Sequence, residues 1–231
     1  MQTILVTGAN RGLGLEFCRQ YAEAGWRVIA TCRNPASSQA LIQLAQQHAS
    51  IQVEVLDVAD FAQIDALSER LKSEAIDVLL NNAGVYGDAP GQGFGQLDYP
   101  QWQTTLTINT VAPVKMAEAF LPQLQRGTRK LIVNVSSLMG SISDNGSGGS
   151  LLYRSSKAGL NAVMHSLAID LRAQSIGVLI LHPGWARTDM GGPNALIGVE
   201  ESVSGMRDCI ERFTLSRSGE FIKYDGSTMP W

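Results

Sequence analysis

The stretch Gln2–Arg33, QTILVTGANRGLGLEFCRQYAEAGWRVIATCR, decides the fold. It opens with a short apolar run, Gln2 to Val6, that stops at Thr7-Gly8. Gly12 to Ala24 follows with apolar side chains at helical spacing and is closed by Gly25, a residue suited to the left-handed turn that ends a helix. Trp26 to Cys32 is a second apolar run. Strand, glycine-rich turn, helix and strand at this spacing imply a right-handed crossover over a parallel sheet.

The same alternation continues. A helix is expected over Ser38 to Gln47, a strand at Ile51 to Leu56, a helix over Phe61 to Ser73 and a strand at Ile76 to Leu80. After Asn81-Asn82-Ala83-Gly84 comes VYGDAPGQGFGQ, read as a surface excursion beside the site. One long helix is expected from about Gln101 to Leu124, then a buried strand at Lys130 to Val135. Leu151 to Leu171 repeats apolar side chains at Leu160, Val163, Met164, Leu167, Ala168 and Leu171, the stripe of a second long helix. A strand at Val178 to Leu181 is stopped by Pro183-Gly184; a loop, a helix over Val199 to Phe213 and a short strand at Glu220 to Lys223 complete the pattern. The reading is an α/β, Rossmann-type, doubly wound parallel sheet with helices on both faces. A single domain over residues 1–231 is expected, with a substrate loop at about 184–198.

Composition narrows the function. Apolar residues make up 45% and charged ones 17%, as in compact soluble enzymes or binding domains. A net charge of -3 gives no basic footprint, and 6% aromatics offer no stacking platform, so nucleic acid is not an expected partner. No run reaches the roughly 18 apolar residues of a membrane span. The N-terminus has no export signal, and Cys18, Cys32 and Cys209 are too scattered for a disulfide framework or zinc site, which fits a reducing cytoplasm. His48, His165 and His182 share no ligand spacing, so no metal is expected. Asn145-Gly146-Ser147 is read as a turn.

Thr7-Gly8-Ala9-Asn10-Arg11-Gly12-Leu13-Gly14 lies where a doubly wound sheet binds a dinucleotide. Glycines let the backbone approach a pyrophosphate, whose charge meets the helix N-terminus. The spacing Gly-x-x-x-Gly-x-Gly departs from G-x-G-x-x-G. Selection of NAD usually relies on a carboxylate at the end of the second strand, but here that strand ends Ala30-Thr31-Cys32-Arg33. Arg33, helped by Arg11, suits a 2′-phosphate, so NADP(H) is expected over NAD(H).

Tyr153 and Lys157 sit one turn apart on the helix over residues 151–171. A free phenol titrates near about 10, and a neighbouring ammonium stabilises its anion, so such a pair can exchange a proton with a carbonyl or an alcohol. Tyrosine and lysine at this spacing are also common on solvated helix faces.

Taken together, Thr7 to Gly14, Asn81 to Gly84, the serine pair of Val133-Asn134-Val135-Ser136-Ser137, Tyr153 with Lys157, and Pro183-Gly184 resemble the short-chain dehydrogenase/reductase family in order and spacing over essentially the whole chain. SLMGSISDNGSGGSLLYRSSKAGLN, LHPGWARTDMGGPNA and YDGSTMPW are similar to its C-factor and sniffer-like branch, which includes carbonyl reductases and a bacterial developmental signalling protein. The resemblance implies that Tyr153 is the acid/base, that Lys157 lowers its pKa and holds the nicotinamide ribose, and that Ser137 bonds the substrate oxygen beside a structural Ser136. Asn109 matches a residue holding a water between Lys157 and solvent. Gly8, Asn10, Arg11, Gly12, Leu13 and Gly14 would cradle the cofactor, with Asp57 and Val58 beside the adenine, Asn82, Ala83 and Gly84 along it, Pro183 and Gly184 also contacting it, and Thr188 at the nicotinamide carboxamide. Asp57 also reads as a helix cap.

Val85, Tyr86, Leu138, Met139, Trp185 and Met190 adjoin these motifs and are expected to line a mostly apolar pocket for a ketone, aldehyde or quinone, unless they fill the core. The fifteen residues between Ser137 and Tyr153 exceed the family's usual gap, and the extra SDNGSGGS is expected at the pocket rim. The expected activity is NADPH-dependent carbonyl reduction; the alternative is a cofactor-binding signalling protein acting through a protein interaction. The helices around 101–124 and 152–174 are expected to pair in a homodimer.

Overall fold

The computed structural model describes residues 1–231. Seven strands form one sheet: β1 (Thr3–Val6), β2 (Arg27–Cys32), β3 (Ile51–Val55), β4 (Val78–Asn81), β5 (Leu131–Val135), β6 (Gly177–His182) and β7 (Phe221–Lys223). Their order is β3-β2-β1-β4-β5-β6-β7, and every pairing is parallel. Most of these strands are apolar on both faces because both faces are covered.

Alternation along each strand divides the core in two. Ile4, Val6, Val28, Val78, Leu80 and Val133 face helices α1 (Gly12–Glu23), α2 (Gln39–Gln47) and α8 (Val199–Glu211). Leu5, Ile29, Leu79, Ile132 and Ile180 face α3 (Phe61–Arg70), α5 (Ala112–Ala119), α6 (Leu121–Arg126) and α7 (Leu151–Asp170). On α7, Leu160, Met164, Ala168 and Leu171 are buried, with Val163 and Leu167 packed beside them. Strands β2 and β3 lie to one side of β1, and β4 to β7 to the other. The chain therefore leaves a crevice beyond the carboxyl ends of β1 and β4, where sheets of this kind bind ligands. No helix is long and apolar enough to cross a membrane.

The single helix expected over 101–124 is broken. It runs as α4 (Tyr99–Leu106), a wider π-helical turn over Thr107–Val111, α5 and α6. Two prolines explain the breaks. Pro113 has no amide to give the carbonyl of Asn109, so the helix widens just before it, and Pro122 opens α6. The α3 helix also stops short of Ser73, at Arg70.

Candidate active site

The cofactor end is built by the turn between β1 and α1. Arg11 precedes α1 in an extended conformation, and its side chain bonds none of the helix amides. The first turn of α1 has no acidic residue, so its unclaimed N–H groups and the helix dipole are free for an anion. Gly14 has no alternative: a Cβ there would stand 2.2 Å from the Gly8 carbonyl oxygen and 2.5 Å from Asn82 Nδ2. Asn82 holds the neighbouring loop against this turn. Its amide donates to Thr7 O at 2.8 Å and Gly8 O at 3.2 Å, while Thr7 Oγ1 accepts from the N–H groups of Asn82 and Ala83, both at 3.0 Å.

These elements border a cleft of about 530 Å³. Its walls carry Gly8, Asn10, Arg11, Gly12, Leu13 and Gly14, then Arg33, Asp57 and Val58, then Asn82, Ala83, Gly84 and Val85, and finally Tyr153, Lys157, Pro183, Thr188 and Met190. The set fits a dinucleotide: a glycine cradle, open helix amides, and an exposed Arg33 that makes no hydrogen bond or ion pair. Arg11 is ion-paired with Asp189 across the cleft, both side chains largely exposed. Asp57 does not cap a helix. It accepts the Ala59 N–H within its own turn at 3.0 Å, and Asp60 caps α3.

The chemical end joins β5, α7 and the π-helical turn. Ser136 Oγ, fully inside, donates to Asn161 Oδ1 at 2.6 Å, whereas Ser137 is turned to Tyr153 and accepts the Met139 N–H at 3.1 Å. Burial pushes the Tyr153 phenol up to about 12, partly offset by the nearby Ser137 hydroxyl and reinforced by the neighbouring Tyr86. Burial pushes Lys157 down to about 8. Its ammonium donates to the Val135 carbonyl at 2.8 Å and stands 5.8 Å from the Tyr153 ring centroid. In this structure the lysine is turned to a backbone oxygen, and desolvation dominates the phenol.

Asn109, buried in the widened turn, accepts the Val85 N–H at 2.9 Å and donates to Val85 O at 2.8 Å and Ser156 Oγ at 2.9 Å. Both its amide hydrogens go to protein partners. The π-helical turn aims this side chain at the loop after β4, a common use of such bulges.

The expected pocket residues divide. Val85 and Met190 are in the cleft wall, and the Tyr86 ring lies 4.9 Å from that of Tyr153. Leu138 packs on the core instead. Met139 supports Ser137, and Trp185 braces its own loop by donating to Gly191 O at 2.8 Å. Gly184 lies against Ile197 and Tyr224 rather than in the cleft wall. His182 is structural. Its Nδ1 accepts the Leu138 N–H at 3.2 Å beside Ser137, and burial, aided by Lys223, lowers its pKa to about 4. Sequence reasoning missed Asn34, Ser37 and Ser38 beside Arg33, Ile108 beside Asn109, and Arg187 and Asp189 opposite the glycine turn. Their proximity to recognised motifs was the only available signal.

Fold and site define a dinucleotide-dependent oxidoreductase, and the chain belongs to the short-chain dehydrogenase family, whose model matches residues 2–195. It is 42% identical to C-signal of Myxococcus xanthus over 68% of this chain and 93% of that one. Among solved structures it is similar to the NADPH-bound carbonyl reductase from chicken fatty liver, at 35% identity and a TM-score of 0.92 over 100% of this chain and 99% of that one. The carbonyl reductase Sniffer of D. melanogaster gives the same identity and TM-score over 100% of both chains.

Proposed function

We propose that this protein uses NADPH to reduce the carbonyl of a mainly apolar ketone, aldehyde or quinone, with Tyr153 as the proton donor. One observation carries the reading: a phenol held protonated beside a serine hydroxyl, at the wall of a dinucleotide-shaped cleft. The carbonyl reductases among its structural relatives, one of them NADPH-bound, support the same substrate class and cofactor.

When bound, NADPH supplies the hydride. The glycine turn and the amides of α1 would hold its pyrophosphate, and Arg33, with Arg11 once free of Asp189, would meet its 2′-phosphate. Ser137 donates a hydrogen bond to the substrate oxygen as negative charge grows there. Tyr153, kept neutral by burial, delivers its proton to that oxygen. Lys157, whose titration point burial lowers to about 8, would resupply the proton and hold the ribose. A role confined to protein interaction, as the likeness to C-signal would allow, gives no reason for Ser137, Tyr153 and Lys157 to be built around a cofactor cleft.

The test is NADPH oxidation with a panel of aldehydes, ketones and quinones, repeated with Tyr153→Phe. Turnover should fall by at least about 100-fold in the variant, the lower range for loss of a positioned acid. Retention of full turnover would remove Tyr153 from its role. We also place the protein in a reducing cytoplasm, supported by three free cysteines. A homodimer is proposed through α4, α5 and α7, around the exposed Tyr99, Val111 and Ile169; a light-scattering mass near 24.9 kDa would refute it.

A further inference from the structure

The helix that carries Tyr153 has no cap of its own. Ser150, just before α7, is left-handed at φ 46° and ψ 48°, and its side chain bonds no helix amide. A cap residue is ordinarily extended and accepts from the second or third amide of its helix; Asp60 and Asp98 do this for α3 and α4. In α7 those two amides belong to Leu152 and Tyr153. Both donate to one distant carboxylate, Leu152 N–H to Asp88 Oδ1 at 3.1 Å and Tyr153 N–H to Asp88 Oδ2 at 2.8 Å.

The loop after β4 is built to deliver that carboxylate. Asn109 grips both the N–H and the carbonyl of Val85. Tyr86 lays its ring on Tyr153 and shares a 2.7 Å hydrogen bond with Ser150 Oγ. Gly87, at φ 81°, passes so close to α4 that a Cβ would lie 2.2 Å from Thr105 Oγ1. Each residue from Val85 to Asp88 is thus fixed against α7, α4 or the π-helical turn.

We propose that Asp88 is a positioning residue of the reaction: by capping α7 from the adjacent loop it sets the backbone of Tyr153, and so the phenol, relative to Ser137 and the cofactor cleft. The proposal rests on Tyr153 being the acid/base. The carboxylate suits the site because it accepts with both oxygens and carries the charge that a helix N-terminus favours. An asparagine is neutral and has a single acceptor oxygen, so it cannot reproduce the one-oxygen-per-amide arrangement and turns an NH2 donor toward one of the two amides.

Asp88→Ala, Asp88→Asn and Tyr153→Phe, made in the full chain, test this with menadione reduction by NADPH, NADPH fluorescence titration and amide hydrogen exchange. In Asp88→Ala, kcat should drop about tenfold or more, as when a reacting group is displaced by a fraction of an ångström, while the Kd for NADPH stays within about twofold. The Leu152 and Tyr153 amides should exchange faster, and Asp88→Asn should recover part of kcat. Unchanged exchange at these two amides overturns the proposal whether or not menadione is turned over. So does an Asp88→Ala rate lost only in proportion to NADPH binding. An inactive Tyr153→Phe beside a fully active Asp88→Ala removes the positioning role alone. Full activity in Tyr153→Phe removes the acid/base reading and the proposal with it.

Discussion

Gly14→Ala should damage both the fold and cofactor binding. The added methyl would begin 2.2 Å from the Gly8 carbonyl oxygen, against an ordinary contact of 3.4 Å or more, and that oxygen is backbone. The first turn of α1 must then move by about 1 Å, because no rotamer change relieves a Cβ. Overpacking of this kind costs about 1–3 kcal/mol. Asn82 also lies 2.5 Å from the new methyl, and weakening its bonds to Thr7 O and Gly8 O adds about 1 kcal/mol. A loss of about 2–4 kcal/mol in a chain of this size lowers Tm by roughly 5–15 °C. NADPH affinity should fall at least about tenfold, since the displaced amides are those that face its pyrophosphate. Thermal unfolding by circular dichroism and a fluorescence titration with NADPH read the two effects. Gly146→Ala, where no atom lies within 4 Å of the new methyl, is the neutral control. A Gly14→Ala protein with the parent's Tm and NADPH affinity would refute the close-approach argument.

Arg33→Ser should lower kcat/KM with NADPH by about 10- to 100-fold and leave NADH nearly unaffected, because only the phosphate ester loses its charge-assisted bonds; equal losses with both cofactors would contradict the assignment. Reduction should hold steady near neutrality and decline above pH about 8 as Lys157 loses its proton, while the reverse oxidation should rise with pH toward the phenol's range near about 12. A reduction rate that climbs through pH 8 to 9 would count against this assignment. His182, lowered to about 4 in the fold, binds a proton more readily when unfolded, so its contribution to stability is intact above pH about 6.5 and is lost as pH falls toward 4. Denaturant midpoints for His182→Gln should therefore fall less than the parent's over that interval, and parallel curves would refute it.

What the sequence revealed was what short-range physics controls. Apolar runs located every strand, and Thr7 to Gly14 together with Tyr153 and Lys157 were legible because spacing along a turn or a helix implies proximity. The break in the 101–124 helix is also written there, in Pro113 and Pro122. Two other features depend on contacts across the fold. Asp88 meets residues 64 and 65 positions away, and Arg11 meets Asp189 from 178 positions away. No local pattern encodes either. The direction taken by Lys157 is of the same kind, since it depends on a carbonyl of β5.

The loop from Trp185 to Ile197 closes on itself. Leu196 and Ile197 donate N–H bonds to Trp185 O at 2.9 and 3.2 Å, Arg187 returns one to Ile197 O at 3.0 Å, and Ala186 pairs with Ile197 as an isolated bridge. With its two ends clasped together, the segment between them is joined to the sheet only through the clasp, although Gly191 and Ala195 inside it are tightly packed. Exchanges at the exposed positions of this segment, Asp189 and Met190 in the cleft wall among them, should therefore alter the cleft while leaving the unfolding temperature of the sheet unchanged.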